Sequence, residues 1–315
     1  MREKLAQLAN EIRSNYSSIQ NQAKQIRESK NIVRKIDRLP LDLKVCAVDG
    51  GILAHRMHGA DIVVSRSAGV CFIYANSILQ SCNYHPAKIP SSEIELRSSL
   101  DEHEANIFRT IIRLKSELNC ALAVLQKYAP QLLLIDGSLL PLPSDQPEKE
   151  SELAPLYDEV LVLYENLYST CTKQNTILCG VIKDSRSRKL AKENNLSCSD
   201  TILCNYLLHE KERTIEMPYS EQNHALAQNI FICYLKPSKH DFPLRIEVLG
   251  KENVDSAANI VCSLSSISEN FAYPTPLVEA DLCAALDPKE LEPIEDLLHS
   301  MCGMRPLRRN SRPFR

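Results

Sequence analysis

Two carboxylates occupy equivalent places in two similar stretches of the chain. Val45-Cys46-Ala47-Val48-Asp49-Gly50-Gly51 and Leu132-Leu133-Leu134-Ile135-Asp136-Gly137-Ser138 are each a short apolar run closed by Asp, Gly and a small residue. Continuous apolar runs of this length, followed by turn residues, read as strands buried on both faces of a sheet. Each Asp then sits at a strand's carboxyl end, where open α/β sheets place ligands. Two carboxylates from two strand ends, beside glycines that admit close backbone approach, suit divalent cations such as Mg²⁺ or Mn²⁺. The plainer alternative is a pair of Asp-Gly turns, where Asp is a common first residue. Two copies on two buried runs favour the metal site.

Phosphodiester hydrolysis is chemistry such a site can serve, because two divalent ions about 3.5–4 Å apart clamp the attacking and leaving oxygens of an in-line displacement. A site of that kind needs more acids than two. The segment between the aspartates offers Glu102, Glu104 and Glu117. Glu117 lies one turn after Leu114 and one before Ala121, so its side chain leans toward the sheet edge. Glu102 and Glu104 fall near a helix start, where acids favour the macrodipole in any case. A solvated helix flank is the competing reading for all three. Lys183 and Arg186 follow a third apolar run and can face a phosphate, with Arg188 and Lys189 extending the contact along a DNA backbone. The competing reading there is a basic helix start on the surface.

The elements that must hold these residues follow from periodicity. The opening segment to Arg38 lacks Gly and Pro and reads as one or two helices. After the first Asp-bearing strand, Asp61 to Ser65 and Gly69 to Ala75 read as two antiparallel strands parted by Arg66 and Ser67. A long helix over 100–128 carries Ile107, Ile111, Leu114, Leu118, Ala121 and Leu125 on one face, and Pro130 ends it before the second Asp-bearing strand. A loop insertion at 141–155 precedes helix 156–171 and strand 176–182. Strands at 229–235 and 244–249 and helices at 252–265 and 276–286 complete the expectation. That order is the order of an α/β, RNase H-like mixed sheet flanked by helices. The expected divisions are an N-terminal helical segment at 1–40, a nuclease-type domain at 41–290 and a basic C-terminal tail at 291–315.

The bulk composition narrows the classes. With 315 residues and 44% hydrophobic content the chain can bury a large core. No apolar run approaches the length of a bilayer span, and Met1-Arg2-Glu3-Lys4 lacks a signal-peptide core, so no membrane and a cytoplasmic protein are expected. The 12 cysteines are scattered without a CxxC pair, which reads as small buried hydrophobes rather than zinc ligands or disulfides. Net charge is −3, yet residues 1–38 and the arginines from Arg305 to Arg315 are locally basic. Such ends are either phosphate contacts or a solvated helix face and a tail.

The chain resembles the NurA nuclease family over roughly 43–286. The resemblance rests on Ala47-Val48-Asp49-Gly50-Gly51, Leu134-Ile135-Asp136-Gly137-Ser138-Leu139, Gly180-Val181-Ile182-Lys183-Asp184-Ser185-Arg186, Leu244-Arg245-Ile246-Glu247 and Tyr273-Pro274-Thr275-Pro276-Leu277, in family order. It implies an RNase H-like, Mn²⁺-dependent nuclease, a 5'-3' exonuclease and single-strand endonuclease. It also implies a homodimer around a central channel, acting in DNA-end resection for double-strand break repair with the hexameric HerA ATPase. By motif position Asp49 and Asp136 take the metal-binding aspartates, Glu117 the helix glutamate and Tyr273 the late tyrosine. Two departures stand out. Asp281 replaces the family's usual His eight residues beyond the tyrosine, and Gly51 replaces a Ser. An Asp can hold a hard cation as well as His, but it acts as a near-neutral acid only if its pKa is strongly raised. The change is compatible with an active enzyme of altered metal preference, a weak one, or an impaired adaptor that binds DNA or a ring ATPase. A third class, an actin-like ATPase or sugar kinase, also carries Asp-Gly turns, but no Gly-rich adenosine loop is found.

Overall fold

The computed structural model describes residues 2–37, 40–98, 100–219, 225–266, 268–303 and 305. In chain order the first elements are α1 (Arg2–Ser29), β1 (Val33–Lys35), β2 (Lys44–Arg56), β3 (Ala60–Ala75), β4 (Ile78–His85), β5 (Glu93–Ser98), α2 (Glu102–Tyr128) and β6 (Leu132–Asp136). Then come α3 (Ala154–Gln174), β7 (Ile177–Ile182), α4 (Lys189–Glu193), α5 (Asp200–Leu207), β8 (Glu212–Thr214) and β9 (Met217–Pro218). The last are β10 (Ile230–Lys236), β11 (Leu244–Leu249), α6 (Val254–Leu264), α7 (Thr275–Ala284) and α8 (Glu292–Cys302). They fall into two compact units, one of residues 1–41 and 179–275, the other of residues 42–178 and 276–315.

The second unit holds all four predicted carboxylate positions. Its strands run in the order β6-β2-β3-β4, with β2 parallel to β6 and antiparallel to β3. Four consecutive residues of β6, Leu132 to Ile135, are buried, as are Val45 to Val48 of β2, the signature of strands covered on both faces. Helix α2 supplies one cover. Asp101 caps it by accepting from the Glu104 amide at 2.8 Å, and Ala129 closes it in the left-handed region. Its Ile107, Ile111, Leu114, Leu118, Ala121 and Leu125 are all buried, the face expected from their spacing.

Two expectations change here. Asp49 does not end its strand, since β2 runs on through Gly50 and Gly51 to Arg56 against β3. What ends is the parallel neighbour. The register Val48↔Ile135 puts Asp49 level with Asp136, where β6 stops and Gly137 turns the chain at φ +110°. Nor do Arg66 and Ser67 interrupt a strand, for β3 is continuous across them. Arg66 is buried there because Glu290 and the Ala285 carbonyl accept from its guanidinium at 2.6 and 2.7 Å. The projecting ends of β2 and β3 are covered by Met57, Ile62, Val64 and Leu291, with Ile294 and Leu298 packed on them. The latter two belong to α8, a helix where a tail was expected. Beyond Arg305 the arginine-rich end lies outside the described residues.

In the first unit the strand order is β1-β8-β10-β11-β7, antiparallel throughout. Ala23 and Ile26 of α1 pack with Leu203, Leu207, Ile232 and Tyr234. The front of α1 leaves Leu5, Leu8 and Tyr16 exposed. Ten of the 12 cysteines are buried and none is in a disulfide, while Cys82 is half-buried and Cys302 exposed.

Candidate functional site

Four carboxylates gather at the end of β6. Asp49 is half-buried, and its Oδ1 accepts from the Gly50 amide at 2.7 Å. Asp136 stands level with it on the parallel strand. Asp281, exposed on α7, is within hydrogen-bonding reach of Asp49. Glu117 is buried on α2, and its Oε1 accepts from Arg113 Nη1 at 2.6 Å. The approach of Glu117 depends on Gly50, because a Cβ there would come within 2.6 Å of the Glu117 Cγ. Gly51 admits the end of α7 in the same way, since its Cβ would meet the Ala284 carbonyl at 2.1 Å.

Crowding like charges in a dry place has an electrostatic consequence. Burial, then the fields of Asp136 and Asp281, push the Asp49 carboxyl up to about 7, against the Gly50 hydrogen bond. Burial pushes Glu117 up to about 7 as well, with Asp49 and Asp136 adding to it and Arg113 opposing it. Around neutral pH this cluster is therefore short of positive charge. Asp49 Oδ1 and Glu117 Oε1 are engaged by the Gly50 amide and Arg113, and among the described residues no group of three acidic, His or Cys side chains closes into a metal-holding arrangement. Their chemistry still fits a hard divalent cation. All four donors are carboxylates, and such a cation supplies the compensation that Arg113 alone gives Glu117.

The basic candidates and Tyr273 belong to the other unit. Tyr273 is buried and its hydroxyl donates to the Val181 carbonyl at 3.3 Å, while the Lys183 ammonium lies 4.2 Å from its ring centroid. Arg186 and Arg188 are exposed; Lys189 donates to the Pro218 carbonyl at 2.7 Å. The loop that bears them is tied to the start of α5. Asp200, fully buried, accepts from Ser187 Oγ at 3.0 Å, the Ala191 amide at 2.8 Å and the Tyr234 hydroxyl at 2.9 Å. Thr201 Oγ1 adds a bond to the Ser185 carbonyl at 2.8 Å.

With this arrangement in view, the NurA domain model matches residues 43–285. The chain belongs to the NurA family. Solved NurA structures have the same fold. The NurA nuclease from Sulfolobus solfataricus superposes with a TM-score of 0.66 at 16% identity, covering 95% of either chain. A NurA solved with manganese gives 0.63 at 12%, covering 96% of this chain and 98% of that one. A NurA bound to dAMP and manganese gives 0.59 at 11%, covering 96% and 97%. No curated protein matches in sequence. The NurA structures share the mixed sheet flanked by helices that the order of elements predicts. Two residues, one in each unit, escape a reading of the sequence. Arg113 is one turn from Glu117, an i,i+4 pair that could have been noticed. Asp200 follows Ser199 at a helix start and looks like an ordinary first-turn acid; only the fold shows it buried under the basic loop.

Proposed function

We propose that this NurA-family chain is a metal-dependent DNA nuclease. On this reading it works in the cytoplasm as a homodimer at DNA ends, in double-strand break repair beside a HerA-type hexameric ATPase. The observation that carries the reading is the gathering of Asp49, Glu117, Asp136 and Asp281 in one unit, with Asp49 and Glu117 held well above the ordinary carboxylate range. Solved NurA proteins holding manganese, one of them with dAMP, support it.

Asp49, Glu117, Asp136 and Asp281 would hold Mn²⁺ or Mg²⁺, one ion or two. Bound there, the cation supplies Lewis acidity at a phosphoryl oxygen and lowers the pKa of an attacking water. Arg113 fixes the orientation of Glu117 and keeps its charged form accessible. Asp281, in place of the family His, adds a carboxylate to the cluster within hydrogen-bonding reach of Asp49. Lys183, steadied by the ring of Tyr273, and the exposed Arg186 and Arg188 would meet phosphates, with Lys189 completing the basic loop. Tyr273 thus acts through Lys183.

The test is cleavage of end-labelled linear and single-stranded DNA in Mn²⁺, Mg²⁺ or EDTA. Wild type should cut only with metal, and Asp49→Ala or Asp136→Ala should lower the rate by at least about 10³-fold, the range of losing a transition-state charge partner. Absence of cutting by wild type, even with a HerA-type partner supplied, would favour the adaptor.

A further inference from the structure

One cleft in the carboxylate-bearing unit takes no part in the chemistry above. It has a volume of about 270 Å³ and lies between β3, α2 and the connection from β4 to β5. Alternation along β3 puts Ser65, Ser67 and Gly69 on one face. That face is the α2 side, because Ser67 Oγ lies 2.5 Å from Ser116 Oγ and a Cβ on Gly69 would strike Val124. Ser65 is 1% exposed, lines the cleft, and its hydroxyl has no hydrogen-bond partner among the described residues. A buried hydroxyl without a partner among the described residues, lining a polar cleft, can take a hydrogen bond from a molecule entering that cleft.

The lining defines what would fit. Arg66 is engaged by Glu290 and the Ala285 carbonyl, and Glu93 adds a negative group, so the cleft offers no uncompensated cation for a phosphate. Burial and the nearby Lys127 hold the His85 imidazole below its usual range, leaving a neutral ring with one donor and one acceptor. Asn119, Ser91 and the β3 hydroxyls add donors and acceptors of both kinds. Pro86, Cys120 and Ala123 make apolar walls. The space would hold roughly nine waters at ~30 Å³ each, too many for one bridging water. A small neutral molecule with hydrogen-bonding edges and an apolar face meets these conditions. The cleft also abuts the acids, for Ser67 pairs with Gly50 next to Asp49, and Ser116 precedes Glu117.

We propose that this cleft receives an unpaired nucleobase of the DNA strand, read along its edge by Ser65, His85 and Asn119. The inference rests on the nuclease reading for the identity of the strand, but base binding itself requires no metal. The test uses the full chain in EDTA, with 2'-deoxynucleosides as probes followed by calorimetry and saturation-transfer NMR. At least one deoxynucleoside should bind wild type. Ala123→Phe, which fills the cleft, should weaken it at least about tenfold, and Ser65→Ala about fivefold without lowering Tm. A single-stranded oligonucleotide should displace the nucleoside, and its counterpart with abasic residues should not. Binding by none of the nucleosides, or binding indifferent to Ala123→Phe and Ser65→Ala, overturns the proposal. Failure of the intact oligonucleotide to displace a bound nucleoside overturns the strand assignment and leaves a free-nucleoside site. Because no metal is present, these outcomes are independent of whether the protein cleaves DNA.

Discussion

At the scale of single residues, Asp49 and Glu117 are held at about 7 from ordinary values of 3.8 and 4.5. A carboxyl whose folded pKa lies above its unfolded one gives stability that is complete below the unfolded value and lost as pH rises through the folded one. The metal-free protein should therefore lose on the order of a few kcal/mol between about pH 4 and pH 7. Thermal denaturation in EDTA should show Tm falling over that window. Asp49→Asn should flatten the fall, and Mn²⁺ should reverse it at pH 8 but not at pH 5. A wild-type Tm independent of pH across the window would contradict this. Gly51 gives a second prediction. Restoring the family's Ser puts a Cβ 2.1 Å from the Ala284 carbonyl, so Gly51→Ser should cost about 1–3 kcal/mol in urea unfolding. The absence of a side chain at Gly51 is thus coupled to the close approach of α7, and an unchanged midpoint in urea would refute that coupling.

Among the elements, β6 and α2 were legible because one signal sufficed for each. Four buried residues in a row mark a two-face-covered strand, and a three- and four-residue stripe marks the helix. β2 and β3 were less so. Their extension past Asp49 depends on each other and on Leu291, Ile294 and Leu298, more than 200 positions away in the sequence. Arg66 looked like a break because its partner, Glu290, is 224 residues distant. β4 and β5 went unread because Ile78, Leu79, Ile94 and Leu96 are exposed, so their apolar residues do not mark a buried face. In the basic loop, the sequence shows the charges of 183–189 but not the buried Asp200 that orders them. Asp200→Ala leaves the Ser187 and Tyr234 hydroxyls and the Ala191 amide without their acceptor. It should destabilise the protein by about 2–4 kcal/mol and weaken DNA binding, while Mn²⁺ affinity stays within about twofold because the loop and the acids lie in separate units. Loss of Mn²⁺ affinity in that variant would show that Asp200 supports the acids instead.

On the scale of the whole molecule, a net charge of −3 leaves the proposed DNA binding to local patches. Arg186 and Arg188 are exposed. Replacing both with Ala should lower the dependence of log K on log salt by roughly 1.5, since each phosphate contact contributes about 0.7–0.9. An unchanged slope would place the contacts elsewhere, for example in the arginine-rich end beyond Arg305. The candidate site was partly visible. Asp49 and Asp136 stand out as candidates by their repeated setting and Glu117 by its place beside the apolar stripe, whereas Asp281 and Tyr273 entered through likeness to the family. Their electrostatic state required the fold, because it comes from burial and mutual proximity rather than from residue type. That state makes the claim of a metal centre directly measurable. The measurement is calorimetric titration of Mn²⁺ into the metal-free protein at pH 7, in buffers of different ionisation enthalpy, for wild type, Asp49→Asn and Asp136→Asn. The account predicts binding by wild type with release of protons from the crowded carboxyls, and at least about tenfold weaker binding in both variants. Absence of Mn²⁺ binding, or binding unaltered by either substitution, would contradict it.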